Sequence, residues 1–370
     1  MSFTPDELLR YQRHLSLSGF GPEAQNALKR GSVLVIGAGG LGCPALLYLA
    51  AAGVGRITII DADTVDVSNL QRQVLYTNAD TGLPKVTAAA ARLLALNPLL
   101  AITPIIARFT RDNALALVAS HDVVLDGSDN FATRYLVNDA CVLADRPLVY
   151  GAIQGFEGQA SVFNHRGGPT YRCLFPEPPA SGTVPSCAEA GVLGVLPGLI
   201  GTIQATETIK LITGLGEPLS GRLLLWNSLT MTSRTLRFAT DPAARAITAL
   251  PPADYGQTCA VPSAFGATNP DELSADELRT RFASVQLIDV REDWERALGA
   301  IQPSAQTPLG MLGTATARSA LASLDPQRPT VVYCAGGVRS LKALPILRAH
   351  HGFTSVLSLH GGYKAWSTPS

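Results

Sequence analysis

The chain is 370 residues long, with 29 Lys and Arg against 29 Asp and Glu, so its formal net charge is zero. That length exceeds the size at which a hydrophobic core usually stays single, which predicts two domains. The charge balance excludes a broad basic field for nucleic acid or an anionic membrane, so any cationic site must be local.

Met1 to Arg10 carries Asp6, Glu7 and Arg10 with no apolar run, and it does not read as a secretory signal. Apolar, β-branched runs at 33–36, 57–60, 123–125 and 148–150 alternate with helical patterns at 41–52, 85–96 and 131–143. That rhythm predicts βαβ units on a parallel sheet. The apolar stretch 192–214 is interrupted by Pro197, Gln204, Glu207 and Lys210, which predicts a buried helix rather than a membrane span. Strands at 159–163, 221–226 and 234–238 read as antiparallel additions. Apolar periodicity then fades through Pro251, Pro252, Pro262, Ser263, Gly266 and Pro270. The expected division is a first domain over 1–248, a linker over 249–268 and a second, smaller α/β domain over 269–370, with strands at 286–290, 330–333 and 355–357. The fold class is therefore α/β, a Rossmann-like domain with a mixed sheet plus a smaller α/β domain.

The six cysteines, Cys43, Cys141, Cys173, Cys187, Cys259 and Cys334, form no C-x-x-C pair, so neither a disulfide framework nor a four-thiolate metal site is expected, and the cytoplasm is the expected compartment. Cys43 and Cys141 sit in apolar helical runs and read as small buried hydrophobes.

Gly37-Ala38-Gly39-Gly40-Leu41-Gly42 follows a strand and opens a helix, so its backbone N–H groups can approach a phosphate. Asp61 ends the next strand, 24 positions after Gly37, where a carboxylate can accept from ribose hydroxyls. These features alone favour an ordinary nicotinamide or flavin enzyme. The run Asn69-Leu70-Gln71-Arg72-Gln73 and Lys85 add fixed cations beside the loop. Attack of a carboxylate on an α-phosphate needs such charges, and hydride transfer does not. Asp129, after the strand at 123–125, reads as a ligand group at the carboxyl edge of the sheet or as a helix N-cap.

Taken together, GAGGLG, SNLQRQ, Pro84-Lys85, Ser128-Asp129-Asn130 and Cys187-Ala188-Glu189-Ala190-Gly191-Val192 resemble the ubiquitin-activating-enzyme superfamily, and within it the bacterial adenylyltransferases that activate sulfur carriers of the molybdopterin-synthase and thiamine pathways. The resemblance covers roughly the first 240 residues. It implies ATP as substrate, Asp61 on the ribose, Asn69, Arg72 and Lys85 on the phosphates, and Asp129 on Mg²⁺. It further implies a homodimer in which Arg13 reaches the neighbouring subunit's ATP. These relatives usually hold zinc through two C-x-x-C pairs. Here Thr170-Tyr171-Arg172-Cys173 keeps one cysteine and Ala243-Ala244-Arg245-Ala246-Ile247 keeps none, so no structural zinc is expected.

In the second domain a strand runs into Cys334-Ala335-Gly336-Gly337-Val338-Arg339-Ser340 and then a helix. Backbone donors at that helix N-terminus, with the Arg339 guanidinium, are expected to stabilise a Cys334 thiolate. With Leu287-Ile288-Asp289-Val290-Arg291-Glu292 and Leu359-His360-Gly361-Gly362-Tyr363-Lys364-Ala365-Trp366, the segment resembles a rhodanese domain, which implies a Cys334 persulfide. Related phosphatases place one more residue between Cys and Arg than the four found here. Pro345 is expected to kink or restart the following helix. Cys187, after the turn-rich Ser181-Gly182-Thr183-Val184-Pro185-Ser186, is expected on a mobile crossover loop, where it could take an acyl group or resolve a mixed species.

The expected function is adenylation of the C-terminal Gly-Gly carboxylate of a ubiquitin-like sulfur carrier, then sulfur transfer to a thiocarboxylate, with a persulfide donor such as a cysteine desulfurase. The alternatives are a Rossmann oxidoreductase with a redox thiol domain, and an adenylyltransferase whose rhodanese-like domain only docks partners.

Overall fold

The computed structural model describes residues 3–179, 191–251, 255 and 269–367. The chain divides into two compact units, Met1–Val261 and Pro262–Ser370. Each is described by itself.

Unit one opens with α1 (Pro5–Leu15) and α2 (Gly21–Arg30). A reciprocal Thr4–Glu7 box caps α1, and Asn97 donates to the Tyr11 hydroxyl at 2.9 Å to hold it against the body. Then follow β1 (Ser32–Ile36), α3 (Gly42–Ala52), β2 (Arg56–Ile60), α4 (Lys85–Leu96), β3 (Ala101–Ile105), α5 (Arg111–Ala119), β4 (Val123–Asp126), α6 (Phe131–Leu143), β5 (Leu148–Gln154), β6 (Glu157–Phe163), α7 (Leu196–Thr213), β7 (Arg222–Asn227) and β8 (Thr232–Arg237). The eight-stranded sheet has the order β3-β2-β1-β4-β5-β6-β7-β8. It is parallel through β5 and antiparallel from β5 to β8.

This is the expected mixed sheet, and the strand order reverses between β1 and β4. Every residue of β1 is buried, as a central parallel strand covered on both faces must be. The run expected to be helical rather than membrane-spanning is α7, which packs on α3 and β5. No helix among the described residues is long and apolar enough to cross a membrane. Burial removes Cys43 and Cys141 from solvent and pushes the Cys43 thiol pKa up to about 12.

Unit two carries a parallel sheet in the order β11-β10-β12-β13-β9. Its elements are β9 (Glu272–Leu273), α8 (Ala275–Arg281), β10 (Gln286–Asp289), α9 (Asp293–Ala297), β11 (Ala305–Gln306), α10 (Ala315–Leu321), β12 (Thr330–Tyr333), α11 (Val338–His351), β13 (Val356–Leu359) and α12 (Gly362–Ser367). The helix does not restart at Pro345, since α11 runs from Val338 to His351 with the proline inside it. Ala343, Leu344 and Leu347 are buried around it, so packing on β12 and β13 outweighs the lost backbone hydrogen bond.

Candidate active sites

A cavity of about 940 Å³ opens where β1 and β4 part, the switch point at which open α/β sheets bind ligands. The loop after β1 forms one wall. Gly37 has φ +89°, and a Cβ there would sit 2.9 Å from the Gly127 carbonyl. A Cβ on Gly42 would collide with the Gly37 carbonyl. Gly37 is therefore required for the loops after β1 and β4 to pass, and Gly42 for the loop after β1 to close into α3. The Ala38 carbonyl accepts from the Tyr76 hydroxyl at 2.8 Å, and the Ala38 N–H donates to Asp61 Oδ2 at 2.8 Å. Pinned this way, the loop presents Gly39, Gly40 and Leu41 to the cavity just ahead of α3. The first N–H groups of a helix lack intrahelical acceptors and attract anions.

Asp61 also accepts from Asp63 N at 2.8 Å, so its carboxylate is fixed at the end of β2. Lys85, buried at the start of α4, donates to Asp63 Oδ2 at 2.9 Å. Arg72 is half-buried, lines the cavity, and donates to the Ser68 carbonyl at 3.2 Å. Asp129 is exposed on the cavity wall. The cap of α6 is Asn130, whose side chain accepts from Thr133 N at 2.9 Å, so Asp129 is not needed as a cap. The structure thus brings Gly37, Gly39, Gly40, Asp61, Arg72, Lys85 and Asp129 to one cavity. It leaves Gly42, Asn69 and Arg13 off the lining: Gly42 is the first residue of α3, Asn69 ends the 3₁₀ turn Val67–Asn69, and Arg13 is exposed on α1.

Sequence reasoning missed three groups at this site. Asp63 is the ion-pair partner of Lys85, 22 positions away in the chain. Arg134 lines the cavity with its guanidinium 5.3 Å from the Phe131 ring and 5.8 Å from the Tyr150 ring. Asp126 is fully buried at the end of β4, accepting from Ser128 N at 2.9 Å, and burial pushes its carboxyl pKa up against the opposing charge of Arg134. No local pattern marks Lys85 as the partner of Asp63, because a tertiary contact supplies it.

Cys187 and Cys259 lie outside the described residues. Cys173 accepts from Thr170 N and Asp241 N, each at 3.3 Å. Among the described residues, no three His, Cys, Asp or Glu side chains gather into a cluster able to hold a metal ion.

In unit two, Cys334 follows β12 and its Sγ accepts from Gly337 N at 3.1 Å. Gly337 has φ +95° as the residue before α11, which turns its N–H back onto the sulfur. Arg339 interacts electrostatically with Cys334 and also has a carboxylate partner. Its guanidinium donates to both carboxylate oxygens of Glu295, at 2.7 and 2.5 Å, and that pairing holds the Glu295 carboxyl below its ordinary value. A charge neutralised in a bidentate pair lends less field to the thiol than an open one. Below it Arg291 pairs with Asp289 at 2.8 Å and donates to the Glu295 and Gly299 carbonyls, so one buried network braces the wall of the loop.

A glycine loop at the switch point of a mixed sheet, with fixed cations and a carboxylate on the same cavity, defines a nucleotide-binding α/β enzyme, followed here by a cysteine-cradle domain. The family model for the ThiF family matches residues 11–246, and that for the rhodanese-like domain matches residues 274–369. The chain belongs to the ThiF family and carries a C-terminal rhodanese-like domain. It is 46% identical over 371 residues to a probable adenylyltransferase/sulfurtransferase MoeZ of Mycobacterium tuberculosis, covering 98% of this chain and 93% of that one. It is 38% identical to an adenylyltransferase and sulfurtransferase MOCS3 of Arabidopsis thaliana, covering 98% and 84%. A sulfur carrier protein adenylyltransferase of Thermus thermophilus is 53% identical over 247 residues, covering 65% of this chain and 91% of that one. The Escherichia coli MccB structure with ATP shares the fold of the first unit, with TM-score 0.56 and 22% identity over 63% of this chain and 72% of that one.

Proposed function

We propose that this chain uses ATP to adenylate the C-terminal carboxylate of a ubiquitin-like sulfur carrier ending in Gly-Gly, then delivers sulfur from a Cys334 persulfide to leave a thiocarboxylate. The cavity that joins the glycine loop, Arg72, Lys85 and Asp129 carries this reading. In the first step a carrier carboxylate oxygen attacks the α-phosphorus, the bond to the bridging oxygen breaks, and pyrophosphate leaves. Arg72, Lys85 and the N–H groups at the start of α3 offset the charge that accumulates on the phosphates. Asp61, held by two backbone donors, is the ribose acceptor, and Asn69 takes a place near the phosphates.

Asp129 makes no hydrogen bond to another described residue, and a single hard carboxylate beside phosphate oxygens suits Mg²⁺. When bound, that ion supplies further screening of phosphate charge. Arg13, exposed and outside its own cavity, is assigned to the nucleotide of a second copy in a homodimer.

In the second step the outer sulfur of the Cys334 persulfide attacks the acyl-adenylate carbonyl and AMP leaves, giving an acyl disulfide. A thiolate, which we assign to Cys187, then attacks the Cys334 sulfur. It releases the thiocarboxylate and leaves a Cys187–Cys334 disulfide for a cellular thiol reductant to reopen. The donor we assign is of the cysteine desulfurase class, and a thiol cycle of this kind suits a reducing cytoplasm.

The test is exchange of labelled pyrophosphate into ATP with and without a carrier bearing a free Gly-Gly terminus. Exchange should require the carrier, and carrier-independent exchange, or NAD binding in place of ATP binding, would overturn the reading. Single-turnover thiocarboxylate formation by Cys187→Ser separates the resolving role. Normal adenylation with a large loss of thiocarboxylate supports the relay, and wild-type rates of both steps remove Cys187 from it.

A further inference from the structure

The Cys334 sulfur has a second neighbour besides the Gly337 N–H. The Ser340 hydroxyl lies 3.6 Å from Cys334 Sγ and 2.8 Å from the Gly337 carbonyl. The Ser358 hydroxyl, on β13, lies 2.8 Å from Ser340 Oγ and 3.4 Å from the same carbonyl. Both serines are 0% exposed, so no bulk water completes their hydrogen bonding. Two hydroxyl hydrogens therefore serve three acceptors: the Gly337 carbonyl, Ser340 Oγ and Cys334 Sγ.

Two arrangements satisfy both hydrogens. In one, Ser358 donates to Ser340 and Ser340 donates to the Gly337 carbonyl, leaving the sulfur as a thiol. In the other, Ser340 turns its hydrogen to the sulfur and Ser358 takes over the Gly337 carbonyl. The second arrangement suits a sulfur that carries negative charge, since a hydrogen bond to an ionised acceptor is worth more than one to a neutral acceptor.

We propose that Ser340 and Ser358 form a two-state hydroxyl relay that holds Cys334 as a thiolate for sulfur loading, with Ser340 donating to the sulfur and Ser358 positioning Ser340. This deepens the reading of Cys334 as the sulfur carrier and rests on it. Among the charged groups around the loop, Arg339 acts on Cys334 electrostatically without hydrogen-bonding to it, and each of the following has a hydrogen-bonding or ion-pair partner elsewhere. Arg339 pairs with Glu295, Arg291 with Asp289 beneath Tyr333 and Tyr363, and His360 with Glu272. None of them hydrogen-bonds to either serine among the described residues. That leaves the relay and the Gly337 N–H as the groups in hydrogen-bonding contact with the sulfur.

The test uses the full chain, with iodoacetamide labelling of the Cys334 peptide followed by mass spectrometry across a pH series. This readout does not depend on sulfur transfer, so failure of the functional reading would show separately as loss of thiocarboxylate chemistry. Ser340→Ala should move the labelling midpoint up by about one pH unit. Ser358→Ala should move it up by less, and the double variant should match Ser340→Ala, because the second serine acts only through the first. Ser340→Thr, which keeps the hydroxyl, should restore the wild-type midpoint. A purely structural role predicts lower thermal stability with an unmoved midpoint, and that result in a folded Ser340→Ala would overturn the proposal. Should Ser340→Ala not fold, Ser358→Ala decides: an upward shift supports the relay and an unchanged midpoint overturns it.

Discussion

The loops after β1 and β12 solve one geometric problem in two ways. Each follows a buried parallel strand, uses a glycine with positive φ, Gly37 or Gly337, and leads into a helix. The first faces a cavity with Arg72 and Lys85 on its wall, whereas the second folds a backbone N–H onto a sulfur of its own chain. An anion that arrives as ligand needs room and charges able to change partners, as Lys85 can from Asp63. On the proposed role of Cys334, a reactive sulfur carried by the chain itself is met by a fixed donor at short range, and Arg339 beside it is paired with Glu295.

Disabling one loop and assaying both chemistries should separate the two loops most strongly. Lys85→Ala should reduce carrier-dependent pyrophosphate exchange by about two orders of magnitude or more, through loss of a cation at the phosphates. Cys334→Ala should leave exchange at the wild-type rate and abolish thiocarboxylate formation. Thiocarboxylate formed by Cys334→Ala from a persulfide donor would show that the second loop does not carry the sulfur.

A smaller effect is expected from Glu295→Gln, which unpairs Arg339. The pair holds the Glu295 carboxyl below its ordinary value of 4.5, so the stability it contributes is fully present above that pH and is lost as pH falls through the folded value. The variant should be less stable by about 1–2 kcal/mol at neutral pH. The gap should close under acid, read by hydrogen exchange of second-unit peptides in urea. A gap that persists unchanged at low pH would show that packing rather than charge pairing is responsible.

The smallest effect concerns Cys173, a relic position by the family resemblance, whose sulfur accepts two backbone N–H groups. Cys173→Ser should cost less than about 1 kcal/mol, since a hydroxyl can accept the same bonds. Protein purified without chelators should hold less than one zinc per chain by elemental analysis. Stoichiometric zinc would place a metal at a position where the sequence offers one cysteine.

The local units of this protein were legible in its sequence because their causes are local. Glycines at 37, 39, 40 and 42 between a β-branched run and an apolar helix mark a strand–loop–helix turn, Phe131–Leu143 and Lys85–Leu96 show helical periodicity, and Cys334 to Arg339 marks the loop between β12 and α11. Other elements were hidden for equally physical reasons. β3 contains Pro104, which suits its place at the sheet edge but disguises the strand, and β9 and β11 have two residues each, too few for any periodicity. Pro345 reads as a kink or a restart, and α11 runs through it with buried neighbours at Ala343, Leu344 and Leu347. The tertiary structure alone decided the pairings: Asp63 with Lys85 across 22 positions, Glu295 with Arg339 across 44, and Ser340 with Ser358 across 18. Sequence encodes backbone preference residue by residue, whereas a hydrogen bond or ion pair depends on distance through space. The same arginine is therefore an open charge in one fold and a brace in another.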